Sequence, residues 1–314
     1  LITDEQPENI KLGNTLSRDG YQDTNRKFDY MICNPPYGVS WKKDAKFVEN
    51  ELKNPDGRFS VGTPSTRDGQ FLFLQHMISK MESSGSRIGV VFNGSPMFTG
   101  DAGSGESEIR KWIIENDWLE TIVQLPDSMF FNTGITTYLW ILTNKKSSVR
   151  KGKIQLIDGS AYFGILKKKL GDKRKEITPD NLQTILKTYL DFRESEISKI
   201  YDNNHFGYTK VQVDQPLIKN GVEKKLKNGK FEPNKKLRDY ERIPLSQSIE
   251  EYYQEEVKPH LQHSWMDRTK DKVGYELNFV KEFYKYKPLR ESKSIKNSLL
   301  SIDQEIISDL EKLK

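Results

Sequence analysis

Phe28-Asp-Tyr-Met-Ile-Cys33 is a short apolar run stopped at once by Asn34-Pro35-Pro36. Proline cannot donate to a sheet ladder and pushes the residue before it toward extended backbone, so this run can be a buried strand only if it ends there. Strand and helix patterns then alternate. Apolar residues at 71, 74, 77, 78 and 81 predict one face of a helix, with Asp68 placed to cap its start. Residues 87–92 read as a second buried strand and 106–116 as a helix with Ile109, Trp112 and Ile113 on one side. Residues 119–125 and 136–143 supply two more strands with no helix between them. The pattern predicts a largely parallel sheet with an antiparallel hairpin at its edge.

A chain of 314 residues suggests two domains at ~100–200 residues each. Composition shifts at 144–153 (NKKSSVRKGK), which predicts a boundary near residue 150. The expected organisation is a first domain over 1–150, a basic α+β extension over 151–290 and a terminal amphipathic helix over 291–314. Residues 1–150 carry 17 basic and 19 acidic side chains, whereas 151–314 carry 33 and 26. A cation excess there suits a polyanionic partner, although a charge run is more often a solvated face. The lysine-rich stretch 219–236 could track phosphates or form a solvated hairpin. Thr178 and Pro179 mark the start of a helix in the extension.

Cys33 is the only cysteine, which excludes an internal disulfide and a multi-cysteine zinc site and fits a reducing compartment. The four histidines show no metal-ligand spacing, and no metal is expected. No apolar run approaches the ~18–20 residues that span a bilayer, and the first ten residues have no signal-peptide core. A cytoplasmic location without membrane contact is expected. Gly100-Asp-Ala-Gly-Ser-Gly105 lacks the Gly-Lys-Ser/Thr of a phosphate loop and reads as a flexible helix entry.

The chemistry concentrates at Asn34-Pro35-Pro36-Tyr37. Ligands of open α/β sheets bind beyond the carboxyl ends of the strands, where this tetrapeptide sits. An exocyclic amine conjugated to a ring is a poor nucleophile because its lone pair is delocalised. The Asn34 side-chain oxygen and the Pro35 carbonyl could accept both amine hydrogens and favour the pyramidal geometry that attacks a methyl group. Consecutive prolines preorganise those acceptors, and Tyr37 can stack on a planar substrate.

FDYMICNPPYG (28–38), FLFLQHM (71–77), RIGVVF (87–92) and LPDSMFFNTGI (125–135) occur in this order. Together they resemble the modification subunit of type I restriction-modification systems, and KVGYELNFVKEFYKYKP (272–288) resembles that family's C-terminal region. The resemblance implies the S-adenosylmethionine-dependent methyltransferase variant of the doubly wound (Rossmann-like) α/β sheet. It also implies methyl transfer from S-adenosylmethionine to the amino nitrogen of a flipped adenine in DNA, with a specificity subunit and a restriction subunit as partners. Asn34, Pro35, Pro36 and Tyr37 match the target-amine motif. Asn14 falls where the family often has an acidic residue on the cofactor adenine. Phe73 matches an aromatic wall of the cofactor pocket, and Phe131 is a second stacking face for the base; core packing is an equal reading of both. No residue from 1 to 33 matches the family's glycine-rich cofactor loop. A fragment missing the first strands and inactive alone is therefore expected. Protein glutamine methyltransferases share the tetrapeptide and remain an alternative, as does a non-catalytic assembly module.

Overall fold

The computed structural model describes residues 9–21, 26–286, 288–289 and 291–312. In chain order the elements are β1 (Tyr30–Cys33), α1 (Ala45–Lys53), α2 (Gln70–Ser79), β2 (Arg87–Phe92), α3 (Ser95–Phe98), α4 (Gly105–Glu115), β3 (Leu119–Gln124), β4 (Tyr138–Thr143) and β5 (Lys153–Asp158). There follow β6 (Gly164–Leu170), β7 (Lys173–Glu176), α5 (Pro179–Asp191), β8 (Ser198–Asp202), β9 (Gly207–Asp214), β10 (Ile218–Lys219) and β11 (Val222–Glu223). The last are β12 (Asp239–Pro244), α6 (Ile249–Tyr252), β13 (Trp265–Tyr275), α7 (Phe279–Phe283) and α8 (Ser292–Lys312).

Six strands form one sheet in the order β1-β2-β4-β3-β5-β8. β1 and β2 are parallel, as are β3 and β5, while β4 runs antiparallel to both β2 and β3. The carboxyl ends of β1, β2, β3 and β5 therefore share one edge of the sheet. This mixed α/β sheet is the expected class, but the β3–β4 hairpin is not at its margin. β4 is inserted between β2 and β3, where Trp140 is fully buried and meets Phe71 and Phe92 edge-to-face at centroid distances of 6.2 and 5.4 Å. That aromatic contact ties α2 to the sheet centre, with Ile88, Val90 and Phe92 all on the buried side of β2.

The composition change at 144–153 is likewise not a break in the fold. β5 pairs with β3 and β8 with β5, so the polar stretch is a connection inside one sheet. Leu1–Phe279 forms one compact unit and Val280–Lys314 a second. Within the first, a smaller antiparallel sheet, β12-β9-β13, packs Val213 with Tyr253 and Val257. Thr178 caps α5, its hydroxyl accepting from the Asn181 amide at 3.3 Å, with Pro179 in the first turn. At α2 the cap position is Gly69, and Asp68 instead accepts from the Gln70 amide at 3.2 Å. In the second unit, α8 leaves Ile295, Leu299, Ile302, Ile306 and Leu310 exposed; Leu313, the last residue of the apolar seam, lies outside the described residues.

On α2, His76 is pushed down to about 4 by burial and by the Arg58 guanidinium. Arg58 donates to His76 Nδ1 at 2.9 Å, which requires that nitrogen unprotonated. Asp19 and Glu51 oppose the shift and Lys80 adds to it. Because the folded state resists protonation, stability is full above the ordinary histidine range and falls as pH drops from about 6.5 toward 4. Urea unfolding at pH 4.5 should show a loss of at most about 2–3 kcal/mol relative to pH 7 from this residue. His76→Asn should remove that part of the pH dependence; an unchanged pH profile in the variant would disprove the assignment.

Candidate active site

Asn34, Pro35, Pro36, Tyr37 and Gly38 line a cleft of about 700 Å³ together with Asn93 and the segment Phe130–Thr133. Each piece follows the carboxyl end of a parallel strand: Asn34 ends β1, Asn93 ends β2, and Phe131 lies in the loop after β3. The sheet edge therefore gathers residues nearly a hundred positions apart in sequence.

Pro35 is buried while Asn34 is exposed, so the rigid backbone is anchored and the carboxamide projects into solvent. Tyr37 donates its hydroxyl hydrogen to Asn34 Oδ1 at 2.7 Å. Burial pushes the Tyr37 phenol up to about 12, with Cys33 adding a smaller effect, so the hydroxyl remains a donor throughout the neutral range. Asn34 Oδ1 has a second lone pair, which leaves it able to accept from a substrate amine. Among the described residues no loop amide donates to the Pro35 carbonyl. Phe131, in the same lining, is 59 % exposed.

Asn93 was not foreseen from the sequence. Its Oδ1 accepts from Gln70 Nε2 and from the Ser95 amide, both at 3.0 Å, and its own amide donates to Gln70 Oε1 at 3.2 Å. Gln70 is completely buried and also donates to Asp68. This reciprocal pair ties the end of β2 to the first turn of α2. A signal was present: two apolar runs, 28–33 and 87–92, each lead directly into an asparagine, Cys33-Asn34 and Phe92-Asn93, although β1 proves exposed rather than buried, with Tyr30 and Ile32 open to solvent.

Asn14 and Phe73 do not line this cleft. Asn14 accepts from the Leu16 amide at 2.9 Å and donates to Asp44 Oδ1 at 3.0 Å. Phe73 packs against the cluster of Leu16, Trp41, Val48, Phe59 and Leu72. Leu16 thus links the two, and Asp44 places a carboxylate beside Asn14. Burial pushes the Cys33 thiol up, which holds it protonated and unsuited to attack. Among the described residues no group of three His, Cys, Asp or Glu could hold a metal ion, and no helix is long and apolar enough to cross a membrane.

The family model for N-6 DNA methylases matches residues 2–228. The chain belongs to this family. Among similar proteins, the type I restriction enzyme MjaIX methylase subunit of Methanocaldococcus jannaschii is 28 % identical over 252 residues, covering 78 % of this chain and 41 % of the relative. The type I restriction enzyme HindI methylase subunit of Haemophilus influenzae is 29 % identical over 212 residues, covering 67 % and 41 %. A crystal structure of the type I restriction-modification system methyltransferase subunit from Streptococcus thermophilus matches with a TM-score of 0.53 and 26 % identity, over 63 % of this chain and 39 % of that one. The chain spans about 41 % of the length of the two curated N-6 DNA methylase relatives.

Proposed function

We propose that this N-6 DNA methylase chain carries the target-amine site of a type I modification subunit, which methylates the exocyclic nitrogen of an adenine turned out of DNA. One observation carries the reading: Asn34 and Pro35, the two acceptor-bearing residues of the tetrapeptide, line one cleft with the aromatic rings of Tyr37 and Phe131. A base lying between those rings would bring its amino group to the Asn34 oxygen and the Pro35 carbonyl. Both acceptors draw on the amine hydrogens, so the lone pair leaves conjugation and turns toward the methyl donor. Turning the base out costs roughly a few kcal/mol, which stacking on Tyr37 and Phe131 offsets.

The cofactor reading is S-adenosylmethionine, which supplies an electrophilic methyl group when bound. The surroundings of Asn14 fit an adenine edge: an amide and the Asp44 carboxylate lie side by side, with Phe73 behind Leu16. Asn14 and Phe73 would hold that edge; the Asn14 amide would exchange its bond to Asp44 for one to the ring.

The decisive assay is transfer of labelled methyl from S-adenosylmethionine to duplex DNA by the full-length protein assembled with its specificity subunit. Incorporation into adenine supports the proposal, whereas incorporation into a protein glutamine would replace it with the alternative reading. The exposed seam on α8 is read as the docking element for a partner subunit, because its steps of three and four suit a helical partner. Ile302→Asp with Ile306→Asp should abolish co-purification with the specificity subunit while circular dichroism is unchanged. Retained co-purification, or a variant that unfolds alone, would reject docking through α8.

A further inference from the structure

Resting on that reading of the cleft, we propose that the β6–β7 hairpin is a phosphate clamp that grips the DNA backbone beside the base entering the cleft. The hairpin follows β5, so it rises from the same sheet edge as Asn34, Asn93 and the Phe131 loop. Residues 167–175 contain six cations, Lys167, Lys168, Lys169, Lys173, Arg174 and Lys175, against the single acid Asp172.

The hairpin is fastened to the wall of the cleft through its backbone. The Asp172 amide donates to the Phe131 carbonyl at 2.9 Å, and the Arg174 amide donates to the Ser128 carbonyl at 2.9 Å. Lys175 Nζ lies 2.5 Å from the Asp127 carboxylate and Lys173 Nζ lies 5.5 Å from the centre of the Phe131 ring. The turn requires a glycine. Gly171 has a φ of +65°, and a Cβ there would stand 2.4 Å from the Phe131 carbonyl oxygen. The same loop that offers Phe131 to the base therefore carries the cationic hairpin.

What remains of the charge points outward. Lys167, Lys168, Lys169 and Arg174 are exposed, and among the described residues none of the four has a carboxylate partner. The 219–236 stretch is less available: Lys224 is 2.7 Å from Glu232, and Lys225 sits over the Phe231 ring at 5.3 Å. Unpaired cations fixed at the rim of a base-sized cleft match a polyanionic strand whose phosphates flank that base. They exert no sequence preference of their own.

The test measures binding of a fluorescent duplex to the 314-residue chain by anisotropy between 50 and 200 mM salt (concentrations of roughly the range over which phosphate contacts are lost). Changing Lys167, Lys168, Lys169 and Arg174 together to Ala should reduce the slope of log affinity against log salt by up to about 3.6, since each phosphate contact contributes about 0.9. Affinity near ~0.1 M salt should fall at least tenfold. The matched control, Lys224, Lys225, Lys227 and Lys230 to Ala, should change the slope less. Amine footprinting of the wild-type chain gives a second reading independent of variant folding: bound duplex should protect Lys167–Lys169 from acetylation. An unchanged slope in the hairpin variant, unprotected lysines, or no duplex binding by the wild-type chain would overturn the clamp. Methyl transfer that still depends on Asn34 would then leave the reading of the cleft standing, whereas loss of the clamp signal with no Asn34 dependence would remove both.

Discussion

Asn34→Ala is expected to slow methyl transfer by about 10²–10³-fold, because removing one preorganised polar group aimed at developing charge costs about 2.7–4 kcal/mol. The loss should fall on single-turnover rate, measured as labelled methyl entering DNA, with cofactor affinity unchanged. Asn34 stands exposed on the lining of the cleft, and the contribution proposed for it is an acceptor that strengthens only as the amine becomes pyramidal. Tyr37→Phe separates orientation from acceptance. It deletes the 2.7 Å hydrogen bond that steers the Asn34 carboxamide while keeping the ring for stacking, and should cost only about 2- to 10-fold. A wild-type rate in Asn34→Ala would refute the proposed role, and a larger loss in Tyr37→Phe than in Asn34→Ala would show that the phenol itself contacts substrate.

Much of this architecture was legible because period and punctuation are local. Residues 87–92 alternate toward one buried face, and the strand was placed to the residue. The Asn-Pro-Pro step fixed where β1 ends for an equally local reason. Strand order is a long-range property, and the hairpin assigned to the sheet margin proved to insert β4 beneath α2. Nothing in residues 136–143 distinguishes a strand paired on one side from one paired on both. The polar run 144–153 failed as a boundary for a related reason: a turn between two strands of one sheet has the composition of a linker. Phe73 shows the limit at the level of one side chain. It falls outside the apolar face of residues 71, 74, 77, 78 and 81, and only the packing of Leu16 and Trp41 reveals what it meets. Asn93 carried no proline to mark it, and its tie to Gln70 joins positions 23 residues apart.

Arg110 is the residue whose loss should most damage the fold. It lies on α4 between Ile109 and Ile113, where a cation would ordinarily face water, yet it is 1 % exposed. Nε donates to the Tyr275 carbonyl at 2.6 Å and one terminal nitrogen to Pro96 and Thr99 at 3.1 and 2.7 Å. The other terminal nitrogen donates to Gly100 at 3.1 Å. Burial pulls the guanidinium down to about 10, which still leaves it charged at neutral pH. The glycine-rich segment 100–105, read from sequence as a flexible helix entry, is thus partly the wrapping of this cation. The same guanidinium joins α4 to the end of β13, so it couples the six-stranded sheet to β12-β9-β13. Arg110→Met keeps most of the volume but strands four carbonyls without a donor, and should cost about 3–5 kcal/mol. Arg110→Lys retains charge on a single nitrogen that cannot reach four carbonyls in a fork, and should cost about 2 kcal/mol. Equilibrium urea unfolding measures both, and limited proteolysis should cut first between residues 245 and 265 in Arg110→Met as the smaller sheet loosens. Wild-type unfolding midpoints for Arg110→Met would mean that the carbonyls find other donors and that the two sheets are held together by Tyr275, Leu277 and Phe279 packing alone.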